Sequence, residues 1–217
     1  QAVNNFSLLD IVRIEVLRGP QGTLYGRNSN GGAIKIVTKK PSETPEFSVS
    51  GTVGNYGRVE GRLSANGAIT DKLFVRGNLL TQQADGYGRN LTLGKDVNDT
   101  DYLGGRIAFR ALPSDKITLD LALDYGRDET NGIYASDIAG VNRPRTTNLY
   151  YSLSGVENSG DAETYGASLN MSWDISDRMT LTSITGYRKT EQDLVLDLSD
   201  APVSLYTLFQ NQSADQV

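Results

Sequence analysis

The side chains best placed to bind a cation in this sequence lie in one short polar stretch. Asp96, Asn98, Asp99 and Asp101 bring carboxylate and amide oxygens together, and such oxygens are the usual ligands of calcium. A calcium-binding loop also needs a glycine where its chain turns sharply, and here that position holds Asp101. The stretch therefore favours a solvated turn over a metal site.

A second stretch, residues 26–31, has the glycine spacing of a phosphate-binding loop. In such a loop a Lys and then a Ser or Thr follow the last glycine, and they contact the phosphates and Mg²⁺. Those positions hold Gly32 and Ala33 here. Because neither residue could reach a phosphate or a metal ion, the sequence argues against nucleotide binding.

The chain has no His and no Cys among its 217 residues, which limits the chemistry it can do. Without imidazole or thiolate it lacks the usual bases and nucleophiles of enzymes and the ligands of most zinc, haem and iron–sulfur sites. We therefore expect no catalytic residue, no bound metal and no cofactor. The net charge of −5 also argues against a nucleic-acid partner, because phosphate binding needs clustered Lys and Arg.

Two alternating segments frame a glycine-rich loop in residues 13–38, the most informative part of the sequence. Residues 13–18 and 33–38 each alternate polar and apolar side chains, which is the period of a half-buried strand. Gly19-Pro20 ends the first segment, and glycines between the segments give the backbone freedom where a side chain would clash. The pattern predicts two strands joined by a compact loop.

The same 26 residues closely resemble the stretch that closes the plug domain of TonB-dependent outer-membrane receptors. In that family an R-I-E-V-L-R-G-P run precedes L-Y-G, a double glycine and I-x-I-x-T, and all of these occur here without a gap. The matching turn positions are Gly19, Pro20, Tyr25, Gly26, Gly31 and Gly32. The resemblance implies a transmembrane antiparallel β-barrel of about 22 strands, filled by the plug. Residues 1–42 would be the C-terminal part of the plug, and residues 43–217 the N-terminal strands of the barrel.

Alternation recurs from residue 46 onward, as expected for an all-β fold. No apolar run reaches the roughly 18 residues of a membrane-spanning helix, but a barrel strand exposes only every second residue to lipid. Phe74, Leu80 and Ile184 are exceptions, since each interrupts the pattern of its segment. Seven strands are predicted, over about 46–53, 58–65, 73–80, 102–111, 117–125, 165–174 and 179–190.

The two faces of these strands should meet different surroundings. Charged side chains on the polar face are costly in lipid and tolerable in a wet or plug-lined lumen, so the apolar face should point outward to membrane lipid. Tyr125, Tyr165, Trp173 and Tyr187 fall near strand ends, where an interfacial aromatic girdle belongs.

Short and long connections alternate between the predicted strands. Residues 70–73, 114–117 and 176–179 each combine a hydroxyl residue, Asp, a cation and an apolar residue. This pattern favours a tight reversal, because Asp and Ser side chains bond nearby backbone N–H groups. Long polar segments lie over about 84–100 and 127–163. A barrel with short turns at one rim and long binding loops at the other explains this alternation. A soluble β-sandwich would explain only the strands.

The resemblance also implies that the sequence covers part of a receptor. Family plugs begin further upstream, after a signal peptide and a segment that pairs with TonB, and neither is found before Arg18. Seven strands cannot close so wide a barrel. We therefore expect two open sheet edges, an exposed lipid-facing surface and poor stability for the piece alone.

Glu15 and Arg18 are interpreted as lying together on the polar face of the first strand. The resemblance implies that such plug charges meet opposite charges on the barrel wall, since a buried charge needs a partner. A solvated strand edge is the alternative. We predict that Arg18 pairs with a barrel carboxylate and helps to hold the plug until TonB pulls.

Ligand contacts are expected near the plug apex and in the long loops. Substrate in the resembled family lies above the plug, which would bring Asn4, Asn5 and Phe6 near it. The loops add Tyr87, Arg89, Tyr134, Arg143, Arg145, Tyr150 and Tyr151, whose rings and guanidinium groups suit polar, anionic or aromatic ligands. Ordinary loop surface is the alternative for each of them.

The function implied by the resemblance is active uptake of a scarce small molecule, such as a ferric siderophore, with energy delivered through TonB. A receptor of the same family for carbohydrate or cobalamin stays open as an alternative, as does a non-transporting structural or adhesive barrel. A barrel enzyme would need a Ser/His or carboxylate site, and the sequence has no His.

Overall fold

The computed structural model describes residues 10–25, 29–132 and 150–216 of the chain. Within these ranges the chain is almost entirely β-structure, with one short helix, α1, over Gly22–Tyr25. The strands are β1 Ile11–Arg18, β2 Gly32–Thr38, β3 Glu46–Val53, β4 Val59–Thr70, β5 Leu73–Ala84, β6 Gly88–Asn90, β7 Lys95–Val97, β8 Thr100–Ser114, β9 Ile117–Asn131, β10 Tyr151–Ser152, β11 Ser159–Ser176, β12 Met179–Asp197 and β13 Thr207–Gln216. Among the helices described, none is long and apolar enough to cross a membrane.

In the described part of the chain the strands form three sheets. β1 and β2 pair antiparallel as a separate two-stranded sheet. The main sheet has eight strands in the order β13-β12-β11-β9-β8-β5-β4-β3, and every neighbouring pair is antiparallel. It is therefore a simple meander with β3 and β13 at its edges. β10, β6 and β7 form a small third sheet within the loops.

The three predicted tight reversals are confirmed, and in each the hydroxyl residue bonds the backbone as expected. Thr70 Oγ1 accepts from the Lys72 N–H at 3.3 Å. The Ser114 and Ser176 hydroxyls accept from the N–H groups two residues later, each at 3.4 Å. The pairing register shifts beside every one of these turns, so each reversal carries a β-bulge. These turns join β4 to β5, β8 to β9 and β11 to β12.

All seven predicted strands are present, but the sequence interpretation missed an eighth and made several strands too short. β13 pairs with β12 along its full length. β9 continues to Asn131 and β11 begins at Ser159, so the loop predicted over 127–163 is shorter at both ends. Both outcomes have one cause. Alternation of apolar and polar residues marks a strand only where one face has apolar surroundings, and outside the band described below both faces are polar.

The pairing register places the even-numbered residues of all eight strands on one face, here called the inner face. One row of directly opposed inner residues runs across seven strands: Glu46, Asn66, Arg76, Ala108, Ala122, Ser168 and Gly186. Phe74 and Leu80, the exceptions to the predicted alternation, point to this face and are buried there. Leu80 packs with Tyr102 as the small apolar core of the described residues. Ile184 also lies on the inner face, where it is exposed.

The odd-numbered residues form the outer face, which is an exposed apolar band. Its members include Phe47, Val49, Leu63, Leu79, Ile107, Leu121, Leu123, Leu169, Trp173 and Leu181. The predicted separation into an apolar and a polar face is therefore confirmed. Exposed apolar area of this extent on a single face is typical of a surface that contacts a membrane or a partner.

Aromatic residues mark both limits of the band. Tyr125 and Tyr165 are directly opposed on β9 and β11 with ring centroids 5.4 Å apart. Their hydroxyls donate to Glu163 at 3.2 and 2.5 Å. Trp173 lies near the opposite end of β11, next to the turn into β12. The eight residue steps from Tyr165 to Trp173 correspond to about 27 Å along the strand, comparable with the apolar band of about 25 Å in membrane barrels.

Candidate functional site

The two-stranded sheet and α1, here called the hairpin (residues 11–38), owe their compact turn to glycine. Gly19 has a φ of +82°, which favours glycine, and it ends β1 before Pro20. Gly32 has a φ of +130°, and a Cβ there would collide with the carbonyl oxygen of Leu17. Tyr25 closes α1 by donating its N–H to the Gln21 carbonyl at 2.9 Å. The turn therefore depends on glycine at two positions of the stretch singled out in the sequence.

The base of the hairpin is fixed to the inner face by Arg76 of β5. The Arg76 side chain is 3% exposed and binds Asp10 at two points, Nε to Oδ2 and Nη2 to Oδ1, the latter at 3.0 Å. Its Nη1 donates to Glu46 at 2.9 Å. The Lys39 N–H donates to the Asp10 carbonyl at 3.0 Å, so the two ends of the hairpin are joined at the same place. These residues are called the first anchor.

A second anchor lies where the chain leaves the hairpin. Lys40 Nζ is 3.1 Å from Asp120 Oδ2, and Arg110 binds the same carboxylate through Nε at 2.6 Å and Nη2 at 2.9 Å. Asn66 then holds the following residues, because Ser42 N–H donates to its Oδ1 at 3.1 Å while its Nδ2 donates to the Thr44 carbonyl at 2.6 Å. The hairpin thus contacts the main sheet through charges and hydrogen bonds at its base.

Glu15 and Arg18 are placed differently from the sequence interpretation. Residues three apart in a strand point to opposite faces, so the interpretation that both share one polar face was wrong. Glu15 pairs with Arg13 at 2.5 Å and with Lys35 at 3.5 Å, both within the hairpin. Arg18 is exposed, and no ion pair involving it is found in the described ranges. Its pairing with a barrel carboxylate stays a prediction.

The residues that do join the hairpin to the wall were not selected from the sequence. Arg76 and Asp120 lie within the predicted strands 73–80 and 117–125, but Asp10 and Lys40 lie just outside the alternating segments. The available signal was a charged residue at each end of the hairpin, next to strands with inward-facing charges of opposite sign. Alternation gives the face of a residue and does not give its partner.

At the other rim, three loops (85–99, 150–158 and 198–206) are joined into what is here called the loop unit. Asp197 is fully buried between two of them. Its Oδ1 accepts from Ser199 N at 2.9 Å, Ser199 Oγ at 2.5 Å and Ser204 Oγ at 2.9 Å, while Oδ2 accepts from Ser154 Oγ at 2.8 Å. Burial alone would raise the pKa of Asp197, but these hydrogen bonds outweigh it and hold the pKa below the usual carboxyl value.

Asp200 and Asn90 complete the loop unit. Asp200 Oδ1 accepts from Ser152 Oγ at 2.6 Å and from the Leu153 and Ser154 N–H groups at 2.9 and 3.1 Å. Asn90 Nδ2 donates to the Ser154 carbonyl at 2.9 Å. β10 also pairs parallel with β6, which places Ser152 opposite Asn90. A unit with this many backbone and side-chain bonds is preorganised rather than a set of independent loops.

The predicted ligand residues divide into those that the structure places and those that it does not. Tyr87 lies between Tyr150 and Tyr56, with ring centroids 6.2 and 6.4 Å away in edge-to-face geometry, and all three rings are exposed. Together they are called the tyrosine ledge. Arg89 pairs with Asp96 at 2.7 Å. Outside the described residues lie Asn4, Asn5, Phe6, Gly26, Tyr134, Arg143 and Arg145.

Tyr56 was missed by sequence reasoning, because it lies in the turn between two of the predicted strands rather than in a long loop. Its backbone is unusual, with a φ of +58°. Its carbonyl accepts from the Asp85 N–H at 2.7 Å, which ties this turn to the loop unit. An aromatic residue in a turn at the same rim as the long loops was the signal that could have identified it.

No group of three or more acidic side chains within the described ranges is arranged to hold a metal ion. In the polar stretch 96–101, Asp96 forms an ion pair with Arg89, and Asp99 accepts a hydrogen bond from the Asn131 N–H at 2.5 Å. The stretch thus stabilises the end of β9 and the loop beside it.

Known proteins resemble the chain in both sequence and fold, although no model of a protein family matches it. The pesticin receptor of Yersinia pestis is 37% identical over 112 residues, which are 51% of this chain and 17% of the receptor. The catecholate siderophore receptor Fiu of Escherichia coli K12 is 25% identical over 198 residues, or 85% of this chain and 25% of Fiu. The chain therefore spans a quarter or less of the length of these relatives.

The fold is similar to that of a solved receptor. The crystal structure of the ferric yersiniabactin uptake receptor FyuA from Yersinia pestis matches with a TM-score of 0.76 at 24% identity, covering 95% of this chain and 32% of FyuA. The open antiparallel meander and the hairpin on its inner face are the fold expected from these relatives. The chain is thus similar in sequence to outer-membrane siderophore receptors, and its fold is that of the barrel and plug of TonB-dependent receptors.

Proposed function

We propose that this chain acts within a receptor for active uptake of a scarce solute across the outer membrane, with an iron–siderophore complex as substrate and TonB as the source of energy. Residues 1–42 would then belong to the plug and residues 43–217 to the barrel. The boundary fits the contacts at Asn66, where the chain leaves the hairpin and enters β3.

The first anchor is the observation that carries the proposal. A structural barrel could fix an internal hairpin by apolar packing, whereas this one is held at its base by the ion pairs of Arg76 with Asp10 and Glu46. The Lys40–Asp120 pair of the second anchor adds a further charged contact. Ion pairs and hydrogen bonds can be exchanged for water in a wet lumen, while an apolar core cannot be opened without a large loss. The attachment therefore suits a plug that is displaced and then returns.

The source of energy follows from the location. An outer membrane has no nucleotide supply and no ion gradient of its own, so work has to reach the plug mechanically through a partner. TonB is the partner proposed. The apolar outer face and the aromatic residues at its limits support placement of the main sheet in a bilayer.

The tyrosine ledge supports an aromatic iron chelate as the class of ligand. Tyr56, Tyr87 and Tyr150 expose their rings at one rim, and rings of this kind stack well on aromatic groups. The loop unit beside the ledge is already bonded together, so ligand binding need not order three separate loops. The relative Fiu is named as a catecholate receptor, which suits the same chemistry.

The test is uptake of radioactive iron supplied as a ferric catecholate siderophore. A strain lacking the gene should lose uptake, and the restored gene should recover it only in cells with functional TonB and an energised inner membrane. Uptake that continues without TonB would contradict the proposed energy source. Unchanged uptake in the deletion strain, with the other iron receptors removed, would contradict the proposed substrate.

A further inference from the structure

One row of inner-face residues contains two polar groups for which the described residues offer no hydrogen-bond partner. The row runs Ser64, Asn78, Arg106, Asp124, Gly166 and Arg188 across β4, β5, β8, β9, β11 and β12. Asn78 and Arg106 are directly opposed in this row. In an antiparallel pair the Cβ atoms of such residues are about 5 Å apart, so both side chains enter the same part of the lumen.

Arg106 forms no hydrogen bond or ion pair with any residue that the structure describes, although it is partly buried. The nearest candidate would be Asp124, its neighbour in the row. Asp124 is instead bonded to Arg188, whose Nη2 lies 3.0 Å from Oδ2 and 3.2 Å from Oδ1. Gly166 lies between these two residues, and a Cβ there would collide with the Asp124 carboxylate. The carboxylate is thus directed across Gly166, away from Arg106.

Asn78 is the second group without a partner. The residue is 8% exposed, and its Nδ2 has no hydrogen-bond partner within the described part of the chain. Unsatisfied buried amides are rare in native proteins, because each costs roughly 1–3 kcal/mol. Such a group next to an unpaired guanidinium indicates that a third group normally completes the arrangement.

The surroundings of Asn78 and Arg106 raise the energetic cost of leaving them without a partner. Leu80 and Gly104 are the next inner pair toward the loop rim, and Leu80 packs with the buried Tyr102 above them. The Tyr102 ring extends over Gly104, where a Cβ would collide with the Tyr102 hydroxyl. Toward the other rim lies the Asp10–Arg76 pair of the first anchor. Asp124 and Asp10 act on Arg106 only at a distance. A partly buried guanidinium with no direct contact to an anion, below Leu80 and beside another arginine, is costly unless an anion joins it.

We propose that Asn78 and Arg106 form a carboxylate-binding subsite on the lumen wall. Both groups present N–H donors, and the guanidinium fork matches the two oxygens of a carboxylate. The amide N–H of Asn78 supplies a further donor to one of those oxygens. The carboxylate has two sources, an acidic side chain of the plug or an acidic group of a solute passing through the lumen. The inference concerns binding alone and does not depend on siderophore transport.

The test uses crystals of the receptor and the probe 4-bromobenzoate, whose bromine is located by its anomalous scattering. For a free anion, the carboxylate of the probe is expected on Arg106 and Asn78. For a plug side chain, an Asp or Glu of the receptor occupies that place before soaking, and the probe binds only after that residue is replaced. Water alone at Arg106, with no bromine peak, overturns the proposal.

Variants measured by calorimetry in detergent decide whether the two residues are responsible. Arg106→Gln should weaken probe binding by about tenfold or more, and Asn78→Leu by several-fold, as expected for the loss of charged and neutral hydrogen bonds. Arg188→Gln should also weaken it, because Asp124 is then released to pair with Arg106. Arg62→Gln, on the same face but paired with Glu60, is the matched control and should bind the probe like the unmodified receptor. Equal binding by Arg106→Gln and the unmodified receptor would contradict the proposal.

Discussion

Asp10 and Arg76 are 66 residues apart in the chain, yet they meet in a two-point ion pair in which the arginine side chain is 3% exposed. The pair joins the start of the hairpin to β5, the third strand of the main sheet counted from its β3 edge. Glu46 and Lys39 surround it, so two acids and two bases share one small volume. The attachment of the hairpin is therefore concentrated at its base.

Asp10→Asn should loosen the hairpin selectively. Glu46 still compensates the Arg76 charge in this variant, so the expected cost is that of a lost charged hydrogen bond, about 1.5–3 kcal/mol. Hydrogen exchange of the β1 and β2 amides should become faster, while exchange in β9 and β11 stays as before. Asp71→Asn, in an exposed turn, is the control and should change neither. Unchanged exchange in β1 and β2 would show that the hairpin is held by other contacts.

Arg18→Ala and Glu15→Gln should have different effects. The pairs that Glu15 makes with Arg13 and Lys35 are partly solvated and internal to the hairpin, so their loss should cost no more than about 1 kcal/mol. Cells carrying Glu15→Gln should keep normal resistance to large antibiotics. Arg18→Ala should raise antibiotic permeability if Arg18 pairs with a barrel carboxylate. If permeability and uptake are both normal in Arg18→Ala, that role for Arg18 is wrong.

Tyr87→Ala should reduce the affinity for a ferric catecholate, because Tyr87 is the middle ring of the tyrosine ledge. Aromatic contacts of this kind contribute about 0.5–1.5 kcal/mol each beyond the buried area, so the loss should be several-fold to tenfold. Tyr87→Phe keeps the ring and should bind nearly normally. Leu205→Ala removes an exposed apolar side chain from the same rim and serves as control. Fluorescence titration of whole cells measures all three, and equal affinity for Tyr87→Ala would remove the ledge from the binding site.

The loop unit should loosen in acid because of Asp197. The folded-state pKa of this carboxyl is lower than its value of 3.8 in the unfolded chain, so its stabilising effect is fully present above that value and is lost as pH falls through the folded pKa. Val203 is exposed in the loop beside it, and since the chain has no Cys, Val203→Cys gives a single site for a spin label. Label mobility should be constant above about pH 4 and rise below it.

Asp197→Asn provides the comparison for this pH dependence. The variant should show higher label mobility at neutral pH, because an amide cannot accept all the hydrogen bonds that the carboxylate receives. Its mobility should also vary less between pH 5 and 3. An identical acid response in the variant would assign the transition to another group.

The sequence predicts the faces of this fold better than its extent or its contacts. Alternation gave the inner and outer faces because one face is apolar throughout the band, and the hydroxyl residues at 70, 114 and 176 gave the reversals through local bonds. β13 was missed because Phe209 is followed by outward residues that are all polar. The Asp10–Arg76 pair and the loop unit depend on segments distant in the chain, and no local pattern contains that information.

The arrangement of the first anchor determines how the hairpin responds to tension. A force applied to the chain before Asp10 acts first on the first anchor. This anchor lies at the open end of two antiparallel strands, where Lys39 is also bonded. Once the first anchor breaks, the backbone hydrogen bonds between β1 and β2 bear the force one after another rather than all together. The peak force is then set by the contacts of the first anchor, and the hydrogen bonds between β1 and β2 break in sequence at lower force.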